Sequence, residues 1–231
     1  MNPFRTRGRG NGRRKLLWTS LALSVALGAL PVADRIAAAV AEERLADRIA
    51  GRQKAVVGTP RVSIDAFPFL LNAVEGTFPE VAIRADAVTR EGRPVQASVE
   101  LRDVSEKAGA YTAASADARF TAPFGSLGAD LGEGTSLSAD HGRLRIDREV
   151  FGLPLTVVAE VQLAGRTVTM VPVSASFAGR QVDPAGPRIA EAFSGRERTL
   201  PELPVGLTPT DVSVSDAGVT VHARADDVRL T

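Results

Sequence analysis

The chain contains no cysteine among its 231 residues, which excludes thiol nucleophiles, cysteine-ligated metals and disulfide cross-links. Aromatic side chains are scarce, nine Phe with a single Trp and a single Tyr, so a core has to be built mainly from aliphatic and small residues. Histidine occurs only as His141 and His222, and neither has a second His four residues away or a Glu-x-x-His partner to hold a metal. The first stands beside a hairpin glycine and the second inside a strand pattern, where an exposed structural residue is the simpler reading.

Catalytic motifs are missing in the same way. Gly125-Ser126-Leu127-Gly128 lacks the Gly-x-Ser-x-Gly spacing of a nucleophile elbow. The glycines from Gly125 to Gly134 are not followed by the Lys-Ser/Thr of a phosphate loop. Carboxylates such as Asp86 and Glu100 are scattered along strand faces without forming an acid/base couple. The expectation is a protein that is not an enzyme and needs no cofactor or metal.

What the chain does have begins at its N-terminus, where Arg5, Arg7, Arg9, Arg13, Arg14 and Lys15, with no acidic residue among them, precede an apolar run from Leu16 to Val32. Such a run with a basic flank reads as an export segment that leaves the rest of the chain outside the cytosol. Its seventeen residues lie at the short edge for a spanning helix, and Ala29-Leu30-Pro31 is a poor cleavage site. A retained transmembrane anchor is therefore favoured over a cleaved signal. Removing the six leader cations from 28 basic residues leaves 22 against 27 acidic ones. At net −5, the remainder is no nucleic-acid binder. The division expected is a leader and hydrophobic segment over 1–33 and one domain over 34–231.

Asp34 to Ala50 reads as a helix, with Ala38, Ala41, Leu45 and Ile49 at spacings of three and four and Gly51 as its stop. From Arg61 the period falls to two. Val62–Ile64, Val81–Val88, Val95–Leu101, Ser136–Asp140, Arg143–Asp147, Leu155–Leu163, Thr167–Ala175, Thr210–Val214 and Val219–Ala225 are expected strands. Glu91-Gly92, His141-Gly142, Ala164-Gly165 and Ala217-Gly218 supply hairpin turns. Thr121 is placed to cap a short helix bearing Phe124, Leu127 and Leu131, and a second helix is expected from Pro187 to Phe193. The proline-rich stretch from Gly179 to Pro209 reads as a crossing between parts of the sheet.

One segment breaks the alternation: Asp65-Ala66-Phe67-Pro68-Phe69-Leu70-Leu71-Asn72-Ala73-Val74-Glu75-Gly76-Thr77-Phe78-Pro79-Glu80-Val81. Proline between two aromatics ends a strand, and Leu70, Leu71 and Val74 suit a short helix. So much apolar surface at a strand-to-helix junction is either a core plug, the favoured reading on physics alone, or the mouth of an apolar cavity.

The stretch from Ile64 to Val81, with Phe67-Pro68-Phe69-Leu70 and Gly76-Thr77-Phe78-Pro79-Glu80-Val81, resembles the signature of the LmeA-like family of actinobacterial envelope proteins, which bind phospholipid. Ala33-Asp34-Arg35 and Ala41-Glu42-Glu43-Arg44-Leu45-Ala46 are similar to that family's opening. Leu203-Pro204-Val205-Gly206-Leu207 and the closing strands to Leu230 match in kind. The sequence departs from the pattern at Ala66, where glycine is expected.

The resemblance implies an α+β fold akin to the tubular lipid-binding superfamily. In it a strongly curved antiparallel sheet wraps a long N-terminal helix and leaves an elongated apolar groove. It also implies a non-catalytic protein of the cell envelope, on the periplasmic face of the plasma membrane, that binds or shuttles phospholipid or another acyl lipid in support of envelope lipid or lipoglycan metabolism. The lipid-binding residues expected are Phe67, Phe69, Leu70, Leu71, Val74 and Phe78 near the entrance, with Val81 and Ile83 on the adjoining strand. Arg84 and Arg102 are candidates for a head group because they lie on or near strands. The alternative is a membrane-anchored scaffold that docks on an envelope glycosyltransferase or other envelope protein without carrying lipid.

Overall fold

Alternating side chains turn most of the chain into antiparallel ladders, and the computed structural model describes residues 11–107, 109–128, 134–187, 189 and 197–230, with side chains from residue 31 on except at 107. The expected export segment therefore falls largely outside the described side chains. Among the residues whose side chains are described, no helix is long and apolar enough to cross a membrane.

In chain order the elements are α1 (Asn11–Arg52), β1 (Val56–Asp65), α2 (Phe69–Glu75), β2 (Thr77–Val88), β3 (Pro94–Lys107), β4 (Ala110–Ala122), α3 (Phe124–Gly128), β5 (Ser136–Asp140) and β6 (Arg143–Val150). Then come β7 (Leu153–Ala164), β8 (Thr167–Phe177), β9 (Arg180–Val182), β10 (Arg198–Thr199), a 3-10 turn at Pro204–Gly206, β11 (Thr208–Ser215) and β12 (Gly218–Leu230). This is an α+β fold, mostly sheet.

The strands form two open sheets rather than the single one expected. The first has the order β1-β2-β3-β4-β12-β11; the second runs β10-β8-β7-β6-β5, with β9 also pairing β8. The division arises because the C-terminal hairpin, not β5, takes the edge of β4. Val219 to Leu230 pair with Ala122 to Tyr111, and the second sheet is left to meet the first through β11.

In the first sheet one face is apolar from edge to edge. Cross-strand partners share a face, and Val62, Ile83, Val99, Ala118 and Ala223 form one such row, with Ile64, Val81, Leu101, Ala116 and Ala225 forming the next. The alternation then slips along a single line. Pro79, Asp103, Ala114 and Asp227 fall opposite one another across β2, β3, β4 and β12, each left out of its ladder. Both aspartates have positive φ, 49° and 52°, a conformation Asp tolerates better than most residues. Beyond that line Phe78, Val104, Ala113 and Val228 return to the apolar side, one residue out of phase, and join the core under α1 and α2.

Several local expectations change. Gly51 lies inside α1, which ends one residue later. Thr121 is a strand residue whose hydroxyl meets that of Thr220 at 2.9 Å, so α3 starts without that cap; Leu131 is outside the described residues. Of the helix expected from Pro187 to Phe193 only positions 187 and 189 are described. Gly218 is not in the turn but opens β12, where a Cβ would collide with the Ala122 carbonyl. Phe151 and Gly152, at φ 54° and 75°, form a hairpin tip in which the phenylalanine is 98% exposed.

These turns set two stability outcomes. Gly218→Ala lowers stability by about 3 kcal/mol through the backbone clash, read as a reduced urea midpoint. Phe151→Asn raises stability by about 1 kcal/mol, because Asn adopts left-handed φ more readily than Phe and the lost ring touches nothing, read as a higher thermal midpoint.

Candidate functional site

Two carboxylates of α1 fix the segment that broke the sequence pattern. Asp34 is 4% exposed, and its oxygens accept the backbone N–H groups of Phe69 at 2.9 Å and Leu70 at 2.8 Å. These are the first two amides of α2, which have no partner within the helix, so a neighbouring helix supplies the cap. Two turns further along α1, Glu42 accepts the Ile64 N–H at 2.8 Å, tying β1 to the same face. Ala37, Ala38, Ala41 and Leu45 pack between these pins and the sheet. At the far end of α2, Gly76 closes the helix at φ 67° with its N–H donated to Asn72, and its carbonyl accepts the Glu106 N–H.

So held, α2 has two sides. Phe69 is buried with Ala66 and its ring lies 6.0 Å from that of Phe78. Ala66 adopts no positive φ, so the departure from glycine costs the backbone nothing and fills the core. Phe67, which precedes a cis peptide to Pro68, is 63% exposed with the Arg35 guanidinium 5.7 Å over its ring. Leu70 and Leu71 are exposed, and Val74 is 87% exposed.

The eight residues singled out by sequence therefore separate. Phe69, Phe78, Val81 and Ile83 belong to or pack against the core beneath the helices, whereas Phe67, Leu70, Leu71 and Val74 point outward. Sequence reading passed over Asp34 and Glu42 as site-building residues. The available signal was Asp34 sitting in helical phase with Ala38, Ala41 and Leu45, on the side of α1 that had to be apolar.

Away from the helices the apolar face continues but is only half covered. Ala85, Ala97, Phe120, Val221 and Val212 are partly accessible. Val214 and Val219 then pack with Leu144 and Ile146 of the second sheet. There the pairs Leu155–Phe177, Val157–Ala175, Ala159–Pro172, Val161–Met170 and Leu163–Val168 make one face wholly apolar. All but Val157, Ala159 and Ala175 are half-buried.

The reverse of the first sheet is polar. A depression of about 500 Å³ there is lined by Glu100, Arg102, Asp117, Arg119, Asp211 and Arg224 among others. Its charges largely neutralise one another, with Arg119 paired to Glu100 at 3.4 Å and Arg224 to Asp117 at 2.7 Å. By register Arg84 and Arg102 lie on this polar side, away from the apolar face.

The groups with clearly shifted acidity are dispersed. A hydrogen bond with Thr89 lowers the Glu91 carboxyl, one with Arg145 lowers Asp147, and one with Glu106 raises the Tyr111 phenol. They sit on different hairpins and converge on no cleft. His141 bonds Asp140 at a hairpin tip and His222 bonds Ser213 on the polar face. Among the described residues no group of three or more His, Asp or Glu is placed to hold a metal. Among the described residues no assembled acid, base or nucleophile stands beside the apolar face.

A family model described as LmeA-like phospholipid-binding matches residues 32–224. No curated protein and no solved structure matches the chain.

Asp34→Ala strands two amides of α2 and is expected to cost about 2–3 kcal/mol, whereas Glu42→Gln, which keeps an acceptor oxygen, costs under about 1 kcal/mol. Urea unfolding of the two variants against the parent checks the ranking.

Proposed function

Because the chain belongs to the LmeA-like phospholipid-binding family, we propose that it is a non-catalytic carrier that shelters acyl chains against the apolar faces of its two sheets at the outer side of a cell membrane. One observation carries this reading: the apolar face continues from α2 across six strands and on to the second sheet, half-buried for much of its course. A tightly filled core would bury those side chains on all sides. Each methylene laid against such a surface gains about 0.8 kcal/mol, so ten supply roughly 8 kcal/mol before ordering costs.

On this reading the half-buried Phe78 and Ile83 line the α2 end of the lipid path, Phe69 and Val81 are the packed core that supports them, and the exposed residues of α2 flank its mouth. The polar reverse of the sheet keeps the loaded protein in water. The basic leader and the apolar run after it support export and retention at the membrane, and envelope lipid or lipoglycan metabolism is the process such a carrier would serve.

The test is extraction of lipid from the full chain purified out of its native membrane, identified by mass spectrometry and followed by uptake of a fluorescent phospholipid. Acyl lipid in the extract with saturable uptake is expected; an extract free of acyl lipid together with an absence of uptake overturns the carrier. A charge on the apolar face should block uptake and one on the reverse should not. Ala97→Glu is expected to weaken it by at least about tenfold, the cost of leaving a carboxylate against hydrocarbon. Ser98→Glu, the next residue along β3, faces Arg84 and Arg119 by register and leaves uptake unchanged.

A further inference from the structure

The exposed side of α2 is unusually greasy for a surface. Phe67, Leu70, Leu71 and Val74 are all exposed while Phe69 alone of the helix is buried. Four large apolar side chains within eight residues, held rigidly by the Asp34 carboxylate, form an oriented patch rather than scattered surface hydrophobics. We infer that this patch is a bilayer-seating surface: it lies in the interfacial layer of the membrane from which α1 emerges and holds the carrier's mouth against the lipid. The inference rests on the carrier reading, including retention of the N-terminal run.

Continuity with α1 selects a bilayer as the occupant. That helix runs from Asn11 to Arg52 with Pro31 inside it, so the apolar run at 16–32 leads into the point where α2 is pinned. Seventeen helical residues reach only about 26 Å, short of the roughly 30 Å of a hydrocarbon core. Extending the span to Ile36 gives about 31 Å, and both Val32 and Ile36 are exposed apolar residues.

Charges at 34 and 35 would normally forbid that extension. Here the Asp34 oxygens are taken up by the α2 amides and the Arg35 guanidinium lies over Phe67. On the helical wheel Val32 and Ile36 lie away from the side that carries Asp34. The base of the domain thus offers Val32 and Ile36 on one side of α1 and the exposed residues of α2 on the side that carries Asp34. A short apolar face embedded about 5–10 Å deep is the known mode of interfacial helices.

The absence of cysteine makes the test direct. The full chain carrying Val74→Cys or, separately, Asp216→Cys is labelled with an environment-sensitive fluorophore and reconstituted into vesicles of phosphatidylcholine and phosphatidylglycerol containing a spin-labelled quencher lipid. Asp216 occupies the β11–β12 turn, at the opposite end of β12 from the strand end near α2. A blue-shifted label at 74, quenched at least about threefold more than at 216, is expected for a residue in the interfacial layer.

Equal, water-like signals at the two positions overturn the inference, as does shielding at 74 that needs an added protein or rises with chain concentration without lipid. Phospholipid uptake is measured on the same samples. A wet label with intact uptake overturns the seating and leaves the carrier; a seated label without uptake does the reverse.

Discussion

Everything at the α2 end depends on a carboxylate that has no business in an apolar layer unless it is satisfied. Asp34 faces the sheet side of α1, almost fully buried, and burying a charge without partners costs far more than a domain's net stability allows. Two amides of α2 provide the partners. The pairing is mutual, since a helix of seven residues is too short to hold itself together in water and its first N–H groups need an acceptor. Each element makes the other tolerable. Because the bond is to backbone, it fixes where α2 begins and hence which of its side chains turn inward.

That orientation divides an apolar segment into a floor and a rim. Phe69 meets Phe78 inside, while Phe67, Leu70, Leu71 and Val74 stay outside. The slip in alternation along Pro79, Asp103, Ala114 and Asp227 serves the same end. By returning Phe78, Val104, Ala113 and Val228 to the apolar side, it continues the floor under the helices after the regular pleat would have turned those positions to solvent. A left-handed residue in each of two nearby strands is the cost, and aspartate is among the residues that bear it most easily.

Strands with large apolar residues on one side were legible from alternation: β2, β3, β6, β7 and β8 fall where Val, Ile and Leu recur along one face. The β4 strand was not, because Ala110 to Ala122 alternates alanine with small polar residues and alanine favours helix over strand. Its alanines are nonetheless required, since Ala113, Ala116 and Ala118 lie almost wholly buried in the core beneath the helices. The separation into two sheets was equally hidden. It turns on which strand takes the edge of β4, a choice made by pairing about a hundred residues apart and not by any local pattern. In the site, the Phe-Pro-Phe-Leu segment was visible as an anomaly, but which phenylalanine turns inward was set by Asp34, thirty-five residues away.

The shortage of aromatic residues acquires a physical sense in these sheets. Wide sheets faced with Phe and Trp would fill the space above them and close into a dense core. Faces of Val, Ala and Leu are shallow, with no large side chain fully buried among the described residues, and give little dispersion energy by themselves. Such a surface keeps much of its hydrophobic driving force in reserve. A flexible acyl chain lying along it removes apolar area from water on both partners at once, with no demand for shape complementarity beyond the width of a methylene chain. On the carrier reading proposed above, so shallow a floor would select little by chain length, and selection would fall to the rim, where Arg35 lies over Phe67 beside the exposed side chains of α2.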